Sequence, residues 1–184
     1  FVDRLYKMGL NQKLGLEIKG EGTPMIKDPG DSLWSGVSLP WMSIGYEVQL
    51  TPLQILAFYN AVANNGALMH PRFVEELRYR GETIKRFEPS VLNPSICSKK
   101  TIKKVKTMLE GVVENGTARN LKGTNYKIAG KTGTAQVANK KYGYRHENAQ
   151  KSYQASFVGY FPADNPKYSC IVVVNSPSND VYYG

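Results

Sequence analysis

Three segments with the composition of β-strands follow one another in the C-terminal part of the chain, at residues 126–137, 154–161 and 168–175. Parallel neighbouring strands need a crossover of about a dozen residues or more, which is usually helical. The connection 162–167 is a short turn rich in proline, aspartate and asparagine, and the connection 138–152 is polar and offers no helix. The sequence therefore predicts an antiparallel sheet and excludes a doubly wound parallel fold.

Two helices are predicted before these strands. The first begins at Thr51-Pro52-Leu53-Gln54, where the threonine can cap free amides, the proline suits the first helical position and the glutamine completes a capping box. Its apolar periodicity ends at Gly66. The second runs from about Ser98 to 115–116, with apolar residues at helical spacing. Helices packed on an antiparallel sheet give a mixed α/β (α+β) fold.

Shorter elements are predicted in the first half of the chain. They are a helix ending at Gly9, a strand at 14–18, an ordered loop at 20–40, and a hairpin of strands 73–79 and 83–87 joined across Gly81.

The charge of the chain leaves two interpretations open. The formal net charge is +9, and much of the excess lies on one predicted helix, at Lys99, Lys100, Lys103, Lys104 and Lys106. Such a stripe is either a solvated helix face or a surface for an anionic partner. No zinc-finger spacing and no mixed aromatic and basic RNA motif is present, so nucleic acid is not expected as a partner.

Cysteine and histidine are scarce. Cys97 and Cys170 permit at most one disulfide, and an isolated thiol is the usual outcome for a cysteine in an apolar strand such as that of Cys170. With only His70 and His146 beside them, no structural zinc site is expected. The sequence predicts neither a metal nor a cofactor.

The segment Gly130-Lys131-Thr132-Gly133-Thr134-Ala135 carries the chemistry of the chain. Its Gly-Lys-Thr triplet suggests a phosphate loop, but Asn125 stands where that pattern requires its first glycine. The second glycine and the β-formers beyond it also argue against the helix that must follow a phosphate loop. A nucleotide site is therefore not predicted.

An extended strand edge that holds an acyl substrate explains the same residues better. Lys131 supplies a positive charge for an anionic ligand, and the hydroxyls of Thr132 and Thr134 can donate to a carboxylate. Gly133 lets a ligand lie against the backbone, and the next N–H can point at a developing oxyanion. Strand alternation sends Lys131 and Thr132 to opposite faces, so both can serve one site only at a twisted edge.

Several blocks in one order accompany this Lys-Thr-Gly motif, and together they resemble the transpeptidase domain of monofunctional, class B penicillin-binding proteins along nearly the whole chain. The blocks are Ser43-Ile44-Gly45-Tyr46, Thr51-Pro52-Leu53-Gln54, Ala61-Val62-Ala63-Asn64-Asn65-Gly66, Met108-Leu109-Glu110-Gly111-Val112-Val113, Gly116-Thr117-Ala118, Ala129–Gln136 and 156–162. The resemblance implies the serine β-lactamase-like fold and D,D-transpeptidation of peptidoglycan stem peptides. The residues around Trp34 and Trp41 look more like the septal, division type than the elongation type.

The resemblance also implies roles for single residues. Lys131 would orient the proton-relay network, and Thr132 and Thr134 would hold the terminal carboxylate of the donor peptide beside Gly133. The backbone N–H of Thr134 would form half of the oxyanion hole. The implied partners are peptidoglycan stem peptides, β-lactam antibiotics and divisome proteins. The parent protein would be anchored in the cytoplasmic membrane by a preceding segment, with this domain on the periplasmic side.

Two motifs of the family are absent. No serine of the chain has a lysine three positions later, and no Ser-x-Asn element occurs. We therefore expect residues 1–184 to be the C-terminal part of a single transpeptidase domain, without its nucleophile and final helix, and inactive alone. Two alternatives remain open: a β-lactamase or D,D-carboxypeptidase on the same fold, and a non-catalytic penicillin-binding sensor domain.

Overall fold

A computed structural model describes residues 1–123, 125–138, 143–144 and 151–177. The chain divides into two compact units, Phe1–Lys99 and Lys100–Gly184. Most of the predicted polar connection 138–152 lies outside the described residues.

The first unit combines three helices with three small antiparallel strand pairs. Its elements are α1 (Val2–Lys7), β1 (Met25–Ile26), α2 (Ser38–Ser43), β2 (Val48–Gln49), α3 (Pro52–Ala63), β3 (Leu68–Met69), β4 (Glu76–Tyr79), β5 (Glu82–Arg86) and β6 (Val91–Asn93). The pairs are β1 with β2, β3 with β6, and β4 with β5. Part of the core of this unit is formed by Val2, Ile26 and Met42, against which Trp34 packs.

Helix α3 begins as predicted. The Thr51 hydroxyl accepts a hydrogen bond from the Gln54 amide at 3.2 Å, and the Gln54 side chain accepts one from the Thr51 amide at 2.8 Å. This is a complete capping box, which satisfies two amides that the first turn leaves free. Gln54 is also buried, and its side-chain amide donates to the carbonyl of Gln12 at 3.2 Å. The cap therefore also ties the helix start to the preceding loop.

The predicted strand at 14–18 is wrong. The Glu21 carboxylate accepts hydrogen bonds from the amides of Leu14, Gly15 and Leu16, the last two at 3.1 and 3.0 Å. Burial would raise the pKa of Glu21, but these backbone bonds outweigh it and the pKa lies below its ordinary value. Because one side chain satisfies these donors, the segment has no need of a neighbouring strand.

The predicted loop at 20–40 also contains regular structure, namely β1 and the start of α2. Pro40 is the third residue of α2, where no intrahelical amide bond is required, so the helix accommodates it. In place of an N-cap on the helix, the buried Ser38 hydroxyl accepts from the Ser35 amide at 3.0 Å.

The hairpin of β4 and β5 is confirmed. Arg80 and Gly81 have φ angles of 50° and 89°, the pair of positive values that a tight two-residue turn requires. Its strands are largely exposed, so the turn and the local pairing define this hairpin.

The second unit contains all but the first residue of α4 (Lys99–Glu114), a short 3₁₀ turn at Arg119–Leu121, and the strands β7 (Ala129–Val137), β8 (Ser152–Phe161) and β9 (Tyr168–Asn175). The strands form one antiparallel sheet in the order β7-β8-β9, as predicted. Among the described residues β7 and β9 each pair only with β8, so the sheet has unpaired edges. The buried hydrophobic residues in the described part of this unit are Ile102, Leu109, Val113, Ala118, Ala129, Ala155, Val158 and Tyr160.

Cys97 and Cys170 are both free and half-buried, so the possible disulfide does not form. No helix in the described part of the chain is long and apolar enough to cross a membrane.

Candidate functional site

The Lys-Thr-Gly motif lies in the middle of β7, inside a continuous nine-residue strand. It pairs residue by residue with β8, placing Lys131 opposite Val158, Thr132 opposite Phe157 and Gly133 opposite Ser156. A phosphate loop wraps its amides around an anion and leads into a helix. An extended strand cannot do this, so the structure excludes a phosphate loop and agrees with a strand that presents its side chains along one edge.

A pair of glycines fixes how closely β7 approaches β8. A Cβ atom on Gly130 would lie 2.5 Å from the Phe157 ring and 2.6 Å from the carbonyl oxygen of Val158. A side chain is equally excluded at Gly159, which pairs with Gly130, because a Cβ atom there would lie 2.5 Å from the carbonyl oxygen of Ala129. Larger side chains at this pair would push the strands apart and displace the lysine that follows.

Gly133 has a different neighbour. A Cβ atom at this position would lie 2.6 Å from the Ser156 hydroxyl, which is the end of a small side chain that can rotate. Packing across the strand pair is therefore already one reason for glycine here. That a ligand also lies against this backbone stays a prediction.

Lys131 and Thr132 meet although they are adjacent in a strand. The ammonium of Lys131 donates to the Thr132 carbonyl at 2.8 Å and lies 3.4 Å from the Thr132 hydroxyl. Strand alternation separates the two Cβ atoms, but the lysine side chain is long enough to fold back around the edge of β7. The exposed ammonium of Lys131 and the half-buried hydroxyl of Thr132 thus lie next to each other. Thr134 is two residues further on and shares the face of Thr132.

Sequence reasoning assigned no role to Thr117, yet it contacts the motif directly. Its hydroxyl lies 2.7 Å from the hydroxyl of Thr132. A tight turn after α4 brings it there: the amides of Gly116 and Ala118 both donate to the Val112 carbonyl at 3.1 Å, and Ala118 is buried. The only signal in the sequence was the block Gly116-Thr117-Ala118, and its contact with Thr132 depends on tertiary structure. We call Thr117 and Thr132 the hydroxyl pair.

The start of β7 is anchored to α4 by charge. The Lys127 ammonium donates to the Glu110 carboxylate at 2.9 Å. That hydrogen bond, with the charge of Glu110 next in size, raises the pKa of Lys127. The Lys127 carbonyl accepts from the Ala163 amide at 2.8 Å, so the same residue also binds the turn between β8 and β9.

Tyr160 lies beside this anchor, fully buried, in the ladder position opposite Ala129. Burial, reinforced by the charge of Glu110, raises the pKa of the Tyr160 phenol to about 12. Its hydroxyl makes no hydrogen bond with the described residues. The ring therefore supports the strand by packing.

The described residues contain no group of three or more histidine, cysteine, aspartate or glutamate side chains that could hold a metal ion. A pocket lined by Val113, Tyr126 and Ile128, among others, lies next to the entry of β7, and none of the predicted site residues lines it. The chemistry available at the candidate site is that of an ammonium, neighbouring hydroxyls and a strand edge. Such a set suits recognition of a carboxylate and proton transfer to or from a hydroxyl.

Comparisons with known proteins agree with this arrangement. Residues 1–184 match the family model described as the penicillin binding protein transpeptidase domain. The chain is 32% identical over 189 residues to stage V sporulation protein D of Bacillus subtilis, covering 99% of this chain and 28% of that protein. It is 30% identical over 186 residues to the peptidoglycan D,D-transpeptidase FtsI of Escherichia coli, covering 100% of this chain and 28% of the relative. The chain thus spans less than a third of the length of these relatives.

A solved structure shares the fold. Penicillin-binding protein 3 of Mycobacterium tuberculosis superimposes with a TM-score of 0.81 at 30% identity, covering 96% of this chain and 40% of that one. The predicted serine β-lactamase-like transpeptidase fold, with helices packed on an antiparallel sheet, is thereby confirmed. The same protein has been solved in complex with aztreonam and with ampicillin. On sequence and on structure, the chain belongs to the family of penicillin-binding protein transpeptidase domains.

Proposed function

We propose that this chain is the substrate-holding part of a peptidoglycan D,D-transpeptidase of the division type. The observation that carries the proposal is the extended β7 strand, on which the Lys131 ammonium and the hydroxyl pair meet at one edge. In the reaction, a serine hydroxyl attacks a peptide carbonyl, which forms an ester, breaks the scissile amide bond and releases the terminal residue as its protonated amine. An amine of a second peptide then attacks the ester, which forms a new amide bond and releases the serine hydroxyl.

Four residues of β7 have different roles in this reaction. Lys131 orients the proton-relay network and supplies a positive charge beside the reacting hydroxyl. Thr132 and Thr134 donate hydrogen bonds to the terminal carboxylate of the donor peptide. The amide of Thr134 forms half of the oxyanion hole, and Gly133 leaves room for the peptide backbone. Thr117 holds the Thr132 hydroxyl in position, since the two oxygens lie 2.7 Å apart.

The serine comes from outside residues 1–184. No serine in this chain is followed three residues later by lysine, which is the arrangement that activates the nucleophile in this family. The chain is thus the C-terminal portion of one transpeptidase domain. Incubated alone with a fluorescent penicillin, it will acquire no covalent label on a denaturing gel or in intact-mass spectra. A stoichiometric adduct would contradict this part of the proposal.

The roles on β7 are tested in the gene product that includes the preceding sequence. Lys131→Ala should lower the rate of acylation by a fluorescent penicillin by about 100-fold or more, because proton transfer and charge stabilisation are both lost. Thr132→Ala should lower it by about tenfold, the value of a hydrogen bond to a charged group. Lys151→Ala and Thr107→Ala, which alter exposed residues of the same unit, are the matched controls.

Undiminished acylation in both variants, with both controls normal, would remove the assigned roles. The fate of the acyl group distinguishes the alternatives: transfer to an added amine supports a transpeptidase, and release by water alone supports a β-lactamase or carboxypeptidase. The parent protein would be held in the cytoplasmic membrane with this domain outside, where stem peptides, β-lactams and divisome proteins are accessible.

A further inference from the structure

The hydroxyl pair joins an exposed residue, Thr117, to a half-buried one, Thr132, through a single short hydrogen bond. The two oxygens lie 2.7 Å apart, which is an ordinary distance for one hydroxyl donating to another. Each hydroxyl has one hydrogen and two lone pairs, so one residue must donate and the other must accept. The direction of this bond decides what Thr132 can still offer to a ligand.

Lys131 restricts that choice. Its ammonium can only donate, and it lies 3.4 Å from the Thr132 hydroxyl oxygen, which accepts from it. If Thr132 also donated to Thr117, its single hydrogen would be used and only a lone pair would be left for a ligand. If Thr117 donates instead, both lone pairs of Thr132 are occupied and its hydrogen is left for the ligand.

A carboxylate ligand selects between these two arrangements. Its oxygens only accept hydrogen bonds, so they would be repelled by a lone pair of Thr132 and bound by its hydrogen. Donation by Thr117 costs that residue little, because it is exposed and water can donate to its own lone pairs. The arrangement that suits a carboxylate is therefore the one in which Thr117 donates to Thr132.

The backbone on both sides of Thr117 holds this donor in place. Gly116 lies so close to the end of α4 that a Cβ atom would stand 2.8 Å from the Cα atom and from the carbonyl oxygen of Val112. Ala118 is 1% exposed, and its amide donates to the same carbonyl at 3.1 Å. Thr117 is thus fixed between two anchored neighbours, which makes its hydroxyl a preorganised donor.

We propose that Thr117 is a positioning residue that donates its hydroxyl hydrogen to Thr132 and so directs the Thr132 hydrogen toward a carboxylate. Through this contact Thr117 determines selectivity for ligands that carry a carboxylate over ligands in which the same group is a neutral ester. The inference rests on the proposed function, in which Thr132 binds a carboxylate, and adds the direction of the hydrogen bond and the discrimination that follows from it.

The test compares acylation of the gene product that includes the preceding sequence by benzylpenicillin and by its methyl ester, which lacks the carboxylate. Intact-mass spectra give the acylation efficiency for each compound, and the acid-to-ester ratio is the readout. Thr117→Val removes the hydroxyl at nearly constant volume and should lower this ratio about threefold, because the Thr132 hydrogen can then occupy three staggered positions instead of one. Thr117→Ser keeps the donor and should retain the ratio. A merely structural fault would slow both compounds and leave the ratio unchanged.

Two further variants show whether Thr117 acts through Thr132. Thr132→Val should lower the ratio about tenfold, the value of a hydrogen bond to a charged group. The double variant should be no worse than Thr132→Val alone, because no hydroxyl is left for Thr117 to direct. Thr107→Val changes an exposed threonine of α4 and is the matched control, with an unchanged ratio expected.

The outcomes separate this inference from the proposed function. If Thr132→Val left the ratio unchanged, the carboxylate-binding role of Thr132 would fail and the role of Thr117 would fail with it. If Thr132→Val lowered the ratio and Thr117→Val did not, only the role of Thr117 would be overturned. The same holds if the losses of the two single variants multiplied in the double variant, since Thr117 would then act independently of Thr132.

Discussion

Two glycines, Gly81 in the hairpin of β4 and β5 and Gly130 in the sheet of β7 and β8, are required for opposite reasons. Gly81 has a φ angle of 89° and open space where a Cβ atom would stand. Gly130 lies in ordinary strand conformation, but a Cβ atom would overlap a ring and a carbonyl oxygen. Glycine is required at position 81 by the positive φ angle of the backbone, and at position 130 by the atoms of β8 that pack against it. Local demands can be identified in a sequence, and packing demands appear only in the fold.

The largest effect is expected for Gly130→Ala. The added methyl group would lie closer to the Phe157 ring and the Val158 carbonyl oxygen than van der Waals contact allows, so the strands must shift. Overpacking of this kind costs about 1–3 kcal/mol of unfolding free energy, and here backbone forms part of the obstacle. Urea denaturation of the full chain measures the loss. A loss below about 0.5 kcal/mol would show that the strand pair adapts freely.

Gly81→Ala should have an intermediate effect. Its methyl group contacts nothing within 4 Å, so the cost is the strain of a positive φ angle, about 1 kcal/mol. The same urea experiment applies, with Gly81→Asn as the matched variant, because asparagine tolerates this conformation and should recover part of the loss. If alanine and asparagine proved equally destabilising, the conformational explanation would fail.

The smallest effect at neutral pH is expected for Tyr160→Phe, next to the Gly130–Gly159 pair. The hydroxyl has no partner among the described residues, so its removal should change the unfolding free energy by less than about 1 kcal/mol. At alkaline pH the unfolding free energies of the two proteins should differ. The pKa of Tyr160 is raised to about 12 in the fold, so the folded state retains a proton that the unfolded state releases from about pH 10.

Between about pH 10 and about pH 12 the unfolding free energy of the unsubstituted chain should therefore fall as pH rises. The phenylalanine variant has no phenol to titrate and should lack this component of the pH dependence. Equilibrium unfolding at pH 8 and pH 11 would show it. Equal pH dependence in the two proteins would mean that the buried phenol does not contribute. The two proteins thus test whether the packing of the Tyr160 ring, without a hydrogen bond from its hydroxyl, supports the start of β7.

Much of the fold could be predicted because its signals are local. The capping box at Thr51 and Gln54, the turn at Gly81 and the apolar spacing of α4 each depend on a few neighbouring residues. The predictions for residues 14–18 and 20–40 were wrong because the local pattern there does not decide the backbone structure. Glu21 satisfies three amides of a segment that alternates like a strand, and Pro40, at the end of the predicted loop, falls within the first turn of a helix.

The candidate site shows the same division. The residues Lys131, Thr132, Gly133 and Thr134 were found from the motif and the resemblance, because their side chains already carry the required chemistry. Alternation could not decide whether Lys131 and Thr132 act together, and the structure shows that the ammonium folds back to within 3.4 Å of the hydroxyl. Thr117 was missed because fifteen residues separate it from its partner in the hydroxyl pair.

Motif order, periodicity and connection length are properties of the chain alone, and they were enough to predict the family, the order of the main helices and strands, and the antiparallel sense of the sheet. Which side chains meet could be learned only from the folded chain: Thr117 with Thr132, Lys127 with Glu110, and Gly130 with the ring of Phe157. Such contacts depend on strand register and on the close approach of elements distant in sequence, and both arise only when the core packs.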